Sequence, residues 1–166
     1  MIESSAGSGV PLLCLAGVQE SAPPGCAGDT VALHGLDWAS VPEALEVGGT
    51  RWFDGTFYGT WDGSGITLTR PFQVGDQAGS TRTETHEQPE GSADPSTVRR
   101  ALDVLSARVA DDANHLAAAE FVGTVNLVVV YDDGAIQTEL DRELGEGVVV
   151  VRSAMRALSA LEGDPE

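Results

Sequence analysis

A protein of this size does chemistry only where reactive side chains stand at workable spacing, and its two cysteines are the first place to look. Cys14 and Cys26 are the only cysteines. They bracket a short segment that closes Pro23-Pro24-Gly25-Cys26. Proline and glycine turn the chain there and let the two ends of the segment approach. Cys14 alone would be a candidate nucleophile, but its partner a dozen residues on predicts a disulfide. Closing a loop of that size stabilises a fold by about 3 kcal/mol in the chain-entropy model. Such bonds persist in oxidising compartments, so the pair speaks to location and not to catalysis.

The other candidates are weaker. Asp132-Asp133-Gly134 has the look of a divalent-cation corner. A calcium loop, however, needs ligands at alternate positions over about twelve residues and a closing bidentate Glu. The pattern here stops at Gly134, so a tight turn with a helix cap is the expectation. As metal ligands, Asp132 and Asp133 are no more than weak candidates. His34, His86 and His115 stand far apart, without the close pairing of zinc ligands. No GxSxG elbow is present, and a Ser-His-carboxylate set is not recognisable. No catalytic residue is assigned. Gly48-Gly49 and Gly63-Ser64-Gly65 do not precede helices, so they do not read as phosphate cradles. With 26 acidic residues, a carboxylate pair for hydrolysis can be drawn anywhere and so has little content. Trp38, Trp52, Phe57, Tyr58 and Trp61 cluster in the first half. Most of them are expected in the core, with an aromatic groove for a peptide or glycan as the second reading.

Charge narrows the partners. The 26 acids face 9 basic residues, for a net charge of −17, and every basic residue is arginine. A GC-rich genome accounts for missing lysine. A halophile's hydrated carboxylate surface is the competing reading of the acidic excess. Either way no basic patch is available for a phosphate backbone or an anionic lipid surface. Nucleic acid is therefore not an expected partner. No run approaches the roughly 20 apolar residues that span a bilayer, so direct membrane insertion is not expected either. The stretch Met1-Ile2-Glu3-Ser4-Ser5 lacks a positive n-region, and Val10 to Leu15 is too short for the apolar core of a signal. That conflicts with the disulfide, unless the chain is cut from a longer exported precursor. A cytoplasmic protein with reduced cysteines is the alternative.

The elements that would position these residues fall into two halves. Residues 1–9 are Ser/Gly-rich and read as a disordered lead-in. Residues 10–72 read as β, with strands at Thr30 to His34, Thr50 to Phe53, Thr56 to Trp61 and Ile66 to Thr69. Asp62-Gly63-Ser64-Gly65 is a hairpin turn. Residues 73–94 are polar and read as a mobile linker. Residues 95–160 read as α/β. Asp94-Pro95 starts a helix whose Val98, Ala101, Leu102, Leu105 and Val109 follow at helical spacing. Residues 114–121 suit a strand or a helix. Val125 to Tyr131 is the clearest strand, a helix carries Ile136, Leu140 and Leu144, and Val148 to Val151 is a last strand. Residues 161–166 are a tail.

The fold class expected is α+β, a small N-terminal β barrel or sandwich packed on a C-terminal ferredoxin-like αββαβ unit. Ile66 to Phe72 would supply that unit's missing strand. The two apolar strands read as buried on both faces, and two helices cover only one. The β half is therefore expected to cover the rest, making one cooperative molecule that proteases nick at 76–93 without separating.

Several segments together resemble an uncharacterised family of exported or lipid-anchored actinobacterial proteins. They are Cys14-Leu15 through Pro23-Pro24-Gly25-Cys26, Gly35-Leu36-Asp37-Trp38, Gly59-Thr60-Trp61-Asp62-Gly63, Tyr131-Asp132-Asp133-Gly134, Gln137, Leu140-Asp141, and Gly145-Glu146-Gly147-Val148-Val149. The chain departs from that pattern at Ala22, Leu36 and Leu144, where the family carries aromatics. The resemblance implies an extracytoplasmic location and a two-cysteine loop, and implies no activity.

The function these observations favour is a non-enzymatic extracytoplasmic binding or interaction module, with an unidentified protein, peptide or glycan partner and no cofactor. A small carboxylate-dependent hydrolase is one alternative. A protease-inhibitor or propeptide-like partner-binding module is the other.

Overall fold

The computed structural model describes residues 2–5, 9–42, 44–74 and 90–158, with the side chains of residues 2–5 not described. The chain divides into two compact units, Met1–His86 and Glu87–Glu166.

The first unit is built on short strands, β1 (Ile2–Ser5), β2 (Leu12–Cys14), β3 (Val18–Gln19), β4 (Gly25–Cys26), β5 (Thr30–His34), β6 (Leu45–Val47), β7 (Thr50–Phe53), β8 (Gly55–Thr56), β9 (Gly59–Trp61), β10 (Gly65–Leu68) and β11 (Gln73–Val74). Seven of them form one sheet in the order β6-β7-β1-β2-β5-β10-β9. Its pairs are antiparallel except β5 with β10, where Ala32, Leu33 and His34 run parallel to Gly65, Ile66 and Thr67. Alternation sets the core. Leu13, Val31, Leu33, Phe53 and Ile66 are buried, while Leu12, Leu45 and Val47 stay exposed. The sheet is open, with β6 and β9 as its edges, so the expected barrel does not close. Short strands and glycine turns suit a closed or an open sheet equally, and only the meeting of the edge strands decides between them. A sandwich would need a second full sheet, and the two ribbons β3-β4 and β8-β11 have two strands each.

Three expectations are corrected here. The lead-in over 1–9 contains β1, which pairs with β2 and with β7 inside the sheet. Backbone pairing can hold a polar strand between two neighbours, and composition alone does not reveal that. Thr56 to Trp61 is not one strand, because residues 57–58 separate β8 from β9. The Ile66 to Phe72 segment supplies no strand to the second unit. Gly65–Leu68 is already bonded on both sides, by β5 and β9.

The Cys14–Cys26 disulfide is present, with the two Cα atoms 4.9 Å apart. Cys14 is buried at the end of β2, and the loop it closes pairs β3 with β4 and carries a cis Ala22–Pro23 bond.

The second unit runs α1 (Pro95–Asp111), β12 (His115–Phe121), β13 (Thr124–Val129), α2 (Ala135–Leu144) and β14 (Val149–Ser153). The element order is the one expected, and residues 115–121 form a strand. Asp94 caps α1, its carboxylate accepting from the amides of Ser96 and Thr97 at 3.0 and 3.1 Å. The sheet order is β12-β13-β14. β13 and β14 are parallel and directly bonded, from Val125 opposite Val149 to Val129 opposite Ser153. A ferredoxin-like split unit needs another strand between them. That expectation is therefore corrected to an undivided βαβ joined to an antiparallel hairpin, because β13 and β14 satisfy each other's hydrogen bonds.

Over residues 125–129 the strand is fully buried on one face and half-buried on the other. Val125, Leu127 and Val129 pack with Val98, Ala101 and Leu105 of α1 and Leu140 and Leu144 of α2. Asn126 and Val128, which point the other way, are half-buried. Consecutive valines give no alternation to read, so the sequence could not show which residues face the helices. Arg108 of α1 joins Glu139 at 3.6 Å and also Glu143, both on α2.

The linker expected over 73–94 is narrower. Gln73 and Val74 pair with Thr56 and Gly55, and Gly91 and Ala93 bond to the β12–β13 turn. Residues 75–89 lie outside the described residues, as does the tail at 161–166.

Candidate functional site

In the first unit the expected strand Thr50 to Phe53 forms, and its alternation sorts the side chains. Arg51 and Phe53 share one face and Trp52 takes the other. Asp37 begins a single 3-10 turn, Trp38–Ser40, by accepting from the Ala39 amide at 2.9 Å. That turn brings Trp38 edge-on to Phe53, with ring centroids 5.6 Å apart. Phe53 also meets Phe57 at 5.7 Å and Phe72 at 5.4 Å, and Phe57 lies 6.0 Å from Phe72. The Arg51 guanidinium lies 5.2 Å from the Trp38 ring centre, a cation–π contact. It also reaches Glu46 at 3.5 Å.

Beside this cluster opens a groove of about 610 Å³, walled by Pro42, Leu68, Pro71, Phe72 and Val74. Asp37 and Arg70 also line it and supply its charged groups. Phe72 belongs to both the cluster and the groove. Asp37 is committed to its turn, and the Ser40 hydroxyl donates to the Asp37 carbonyl at 2.6 Å. Arg70 is exposed and has no ion pair among the described residues.

The five aromatics singled out in the sequence separate in space. Trp38 and Phe57 join the cluster, while among the described residues no ring contact links Trp52, Tyr58 or Trp61 to it. All five are half-buried. The fully buried ring is Phe53, at 2% exposure. Phe53, Phe72, Leu68 and Arg70 were missed as site residues. For Phe53 the alternation Arg51-Trp52-Phe53 carried a signal. For Phe72 and Arg70 there was none, since the chain between β10 and β11 has no periodicity.

The Asp132-Asp133-Gly134 corner opens α2. Asp132 accepts from the Ile136 amide at 2.9 Å and Asp133 from the Ala135 amide at 3.1 Å. The Asp132 amide in turn donates to the Ser153 hydroxyl at 2.6 Å. These carboxylates serve the orphan amides of a helix start. Among the described residues no group of three or more His, Cys, Asp or Glu is placed to hold a metal ion.

His34 is exposed, and His86 lies outside the described residues. His115 is buried at 6% exposure. Its Nδ1 lies 2.9 Å from an Asp112 carboxylate oxygen but off the line a hydrogen bond requires, so among the described residues neither ring nitrogen has a hydrogen-bond partner. Among the described residues two carboxylates are clearly perturbed, both downward. At Asp62 the amide of Ser64, then that of Gly65, stabilises the charged form. At Asp94 the hydroxyls of Ser96 and Thr97 lead, and hold the carboxyl well below the usual range. A general acid needs the opposite shift.

Among the described residues no helix is long and apolar enough to cross a membrane. No family model matches this chain, and neither a curated protein nor a solved structure matches it.

Proposed function

We propose that this chain is a non-enzymatic binding module that works outside the cytoplasm, with the groove beside the Phe72 ring as its ligand site. The observation that carries the reading is the groove itself, with apolar walls backed by a ring cluster and few charged groups among them. Few polar groups set among apolar walls are the usual composition of a ligand site. The Cys14–Cys26 disulfide supports an oxidising compartment, as does the resemblance to exported actinobacterial proteins.

The test is a ligand screen read by amide chemical shifts, run beside a broad hydrolase screen. Binding is expected to move the resonances of Leu68, Phe72 and Trp38 without turnover. A hydrolytic activity abolished by one point mutation would overturn the reading.

A further inference from the structure

We propose that the groove takes an extended peptide segment bearing one carboxylate next to an apolar side chain, with Arg70 as the carboxylate's anchor. This rests on the binding-module reading above. The unit's two described arginines differ in their engagements. Arg51 has Glu46 at 3.5 Å and the Trp38 ring beneath it, whereas Arg70 is exposed at the groove with no ion pair among the described residues. A guanidinium offers a planar fork of donors that matches a carboxylate. The groove's other walls include Pro42, Leu68, Pro71 and Val74, which suit an aliphatic or aromatic side chain.

The occupant is a peptide and not a glycan because sugar hydroxyls need several partners. Besides Arg70, the polar side chains at hand are few and each already has a partner, Asp37 the Ala39 amide, Ser40 the Asp37 carbonyl and Thr69 the Tyr58 carbonyl at 3.4 Å. The groove is open rather than enclosed, so it cannot bury most of a small ligand, whereas an extended chain needs only its anchoring side chains covered. The charge also limits the ligand to one carboxylate. Asp37 shares the groove, and the whole chain carries −17, so further acids on the partner meet repulsion.

The test uses the full chain and three synthetic peptides. One is a tripeptide ending in leucine as the free acid, one is its amide, and one is the free acid preceded by three glutamates. Titrations followed by amide chemical shifts should place the free acid at Leu68 and Phe72. The amide should bind about tenfold more weakly, the size expected for one charge-assisted pair. Arg70→Gln should bring acid and amide to the same weak affinity, and Arg70→Lys should restore part of the difference. The triglutamate peptide should bind no better than the plain acid. Equal binding of acid and amide to the native chain, or tighter binding of the triglutamate peptide, overturns the anchor while leaving the groove as a binding site. No shift at the groove with any peptide overturns the peptide proposal. The binding-module reading falls only if the broader ligand screen also leaves the groove resonances unmoved.

Discussion

Gly91 and Gly123 meet backbone to backbone. A Cβ built on Gly91 would lie 1.9 Å from the Gly123 carbonyl oxygen, and one on Gly123 would lie 2.1 Å from the Gly91 carbonyl oxygen. The approach is fixed by hydrogen bonds from the Gly91 amide to the Val122 carbonyl at 2.9 Å and from the Ala93 amide to the Gly123 carbonyl at 3.1 Å. The chain entering α1 is thereby tied across the β12–β13 turn, where Gly123 has φ +67°. Neither backbone can yield without disturbing these bonds.

Gly91→Ala and Gly123→Ala should each destabilise the protein by about 3 kcal/mol, the upper part of the range for forced overpacking. Gly9→Ala is the control, since nothing lies within 4 Å of its added carbon. Denaturant midpoints measure all three. Midpoints unchanged in the first two variants would show that the crossing is not held as described.

Gln137 closes the free edge of β14. Its side-chain nitrogen donates to the Val149 carbonyl at 3.0 Å, and its oxygen accepts from the Val151 amide at 2.9 Å. A side chain thus stands where a further strand would, which protects an otherwise open edge. Gln137→Leu keeps the bulk and removes both bonds, at a cost of about 1–3 kcal/mol. Hydrogen exchange at the Val151 amide should speed up by more than exchange at Leu127 and Val129 in the strand interior. Equal acceleration at all three amides would show that the edge bonds have no local role.

Helix α1 should loosen in acid. Asp94 is held below its usual range by the Ser96 and Thr97 hydroxyls and amides. A depressed folded-state pKa gives stability that is present above the unfolded value of about 3.9 and is lost as pH falls from there through the folded value. Acid titration of helicity should therefore show a loss below about pH 4 that Asp94→Ala lacks, the variant being weaker already at neutral pH. A parallel acid profile in the two proteins would refute the cap's role.

The disulfide makes a direct prediction. Mass spectrometry of native protein under non-reducing conditions should find no alkylatable thiol. Reduction, or Cys14→Ser with Cys26→Ser, should lower stability by about 3 kcal/mol. Two free thiols in material from an oxidising compartment would remove the location argument along with the bond.

Residues 90–158 should fold when expressed by themselves. The core of that unit is made by its own residues, from Val98 to Val149, with Ala93 and Val151 packed at its margin. Calorimetry should give one cooperative transition with helical circular dichroism. A chain without such a transition would support the expectation of one cooperative molecule.

Local chemistry was legible from the amino acids. Asp94-Pro95 announced the start of α1, Asp62-Gly63-Ser64-Gly65 announced a hairpin, and the spacing of Val98, Ala101 and Leu105 gave the buried face of a helix. The Cys14–Cys26 pair could also be read, because both residues are close in the chain and only a turn is needed to join them. Such features depend on neighbours a few residues apart.

Tertiary structure decided what depends on distant partners. The sequence of β1 is polar and short, and it is a strand because β2 and β7 bond it from both sides. Ile66 belongs to the first unit's sheet because Leu33 and Trp61 flank it, a fact that no local pattern encodes. Val125 to Val130 is apolar almost throughout, so its two faces were distinguished only when α1 and α2 packed on one of them. The groove follows the same rule. Phe72 and Arg70 lie in irregular chain, and their meeting with Pro42 and the Phe53 ring was set by how the strands between them fold, not by any spacing along the sequence.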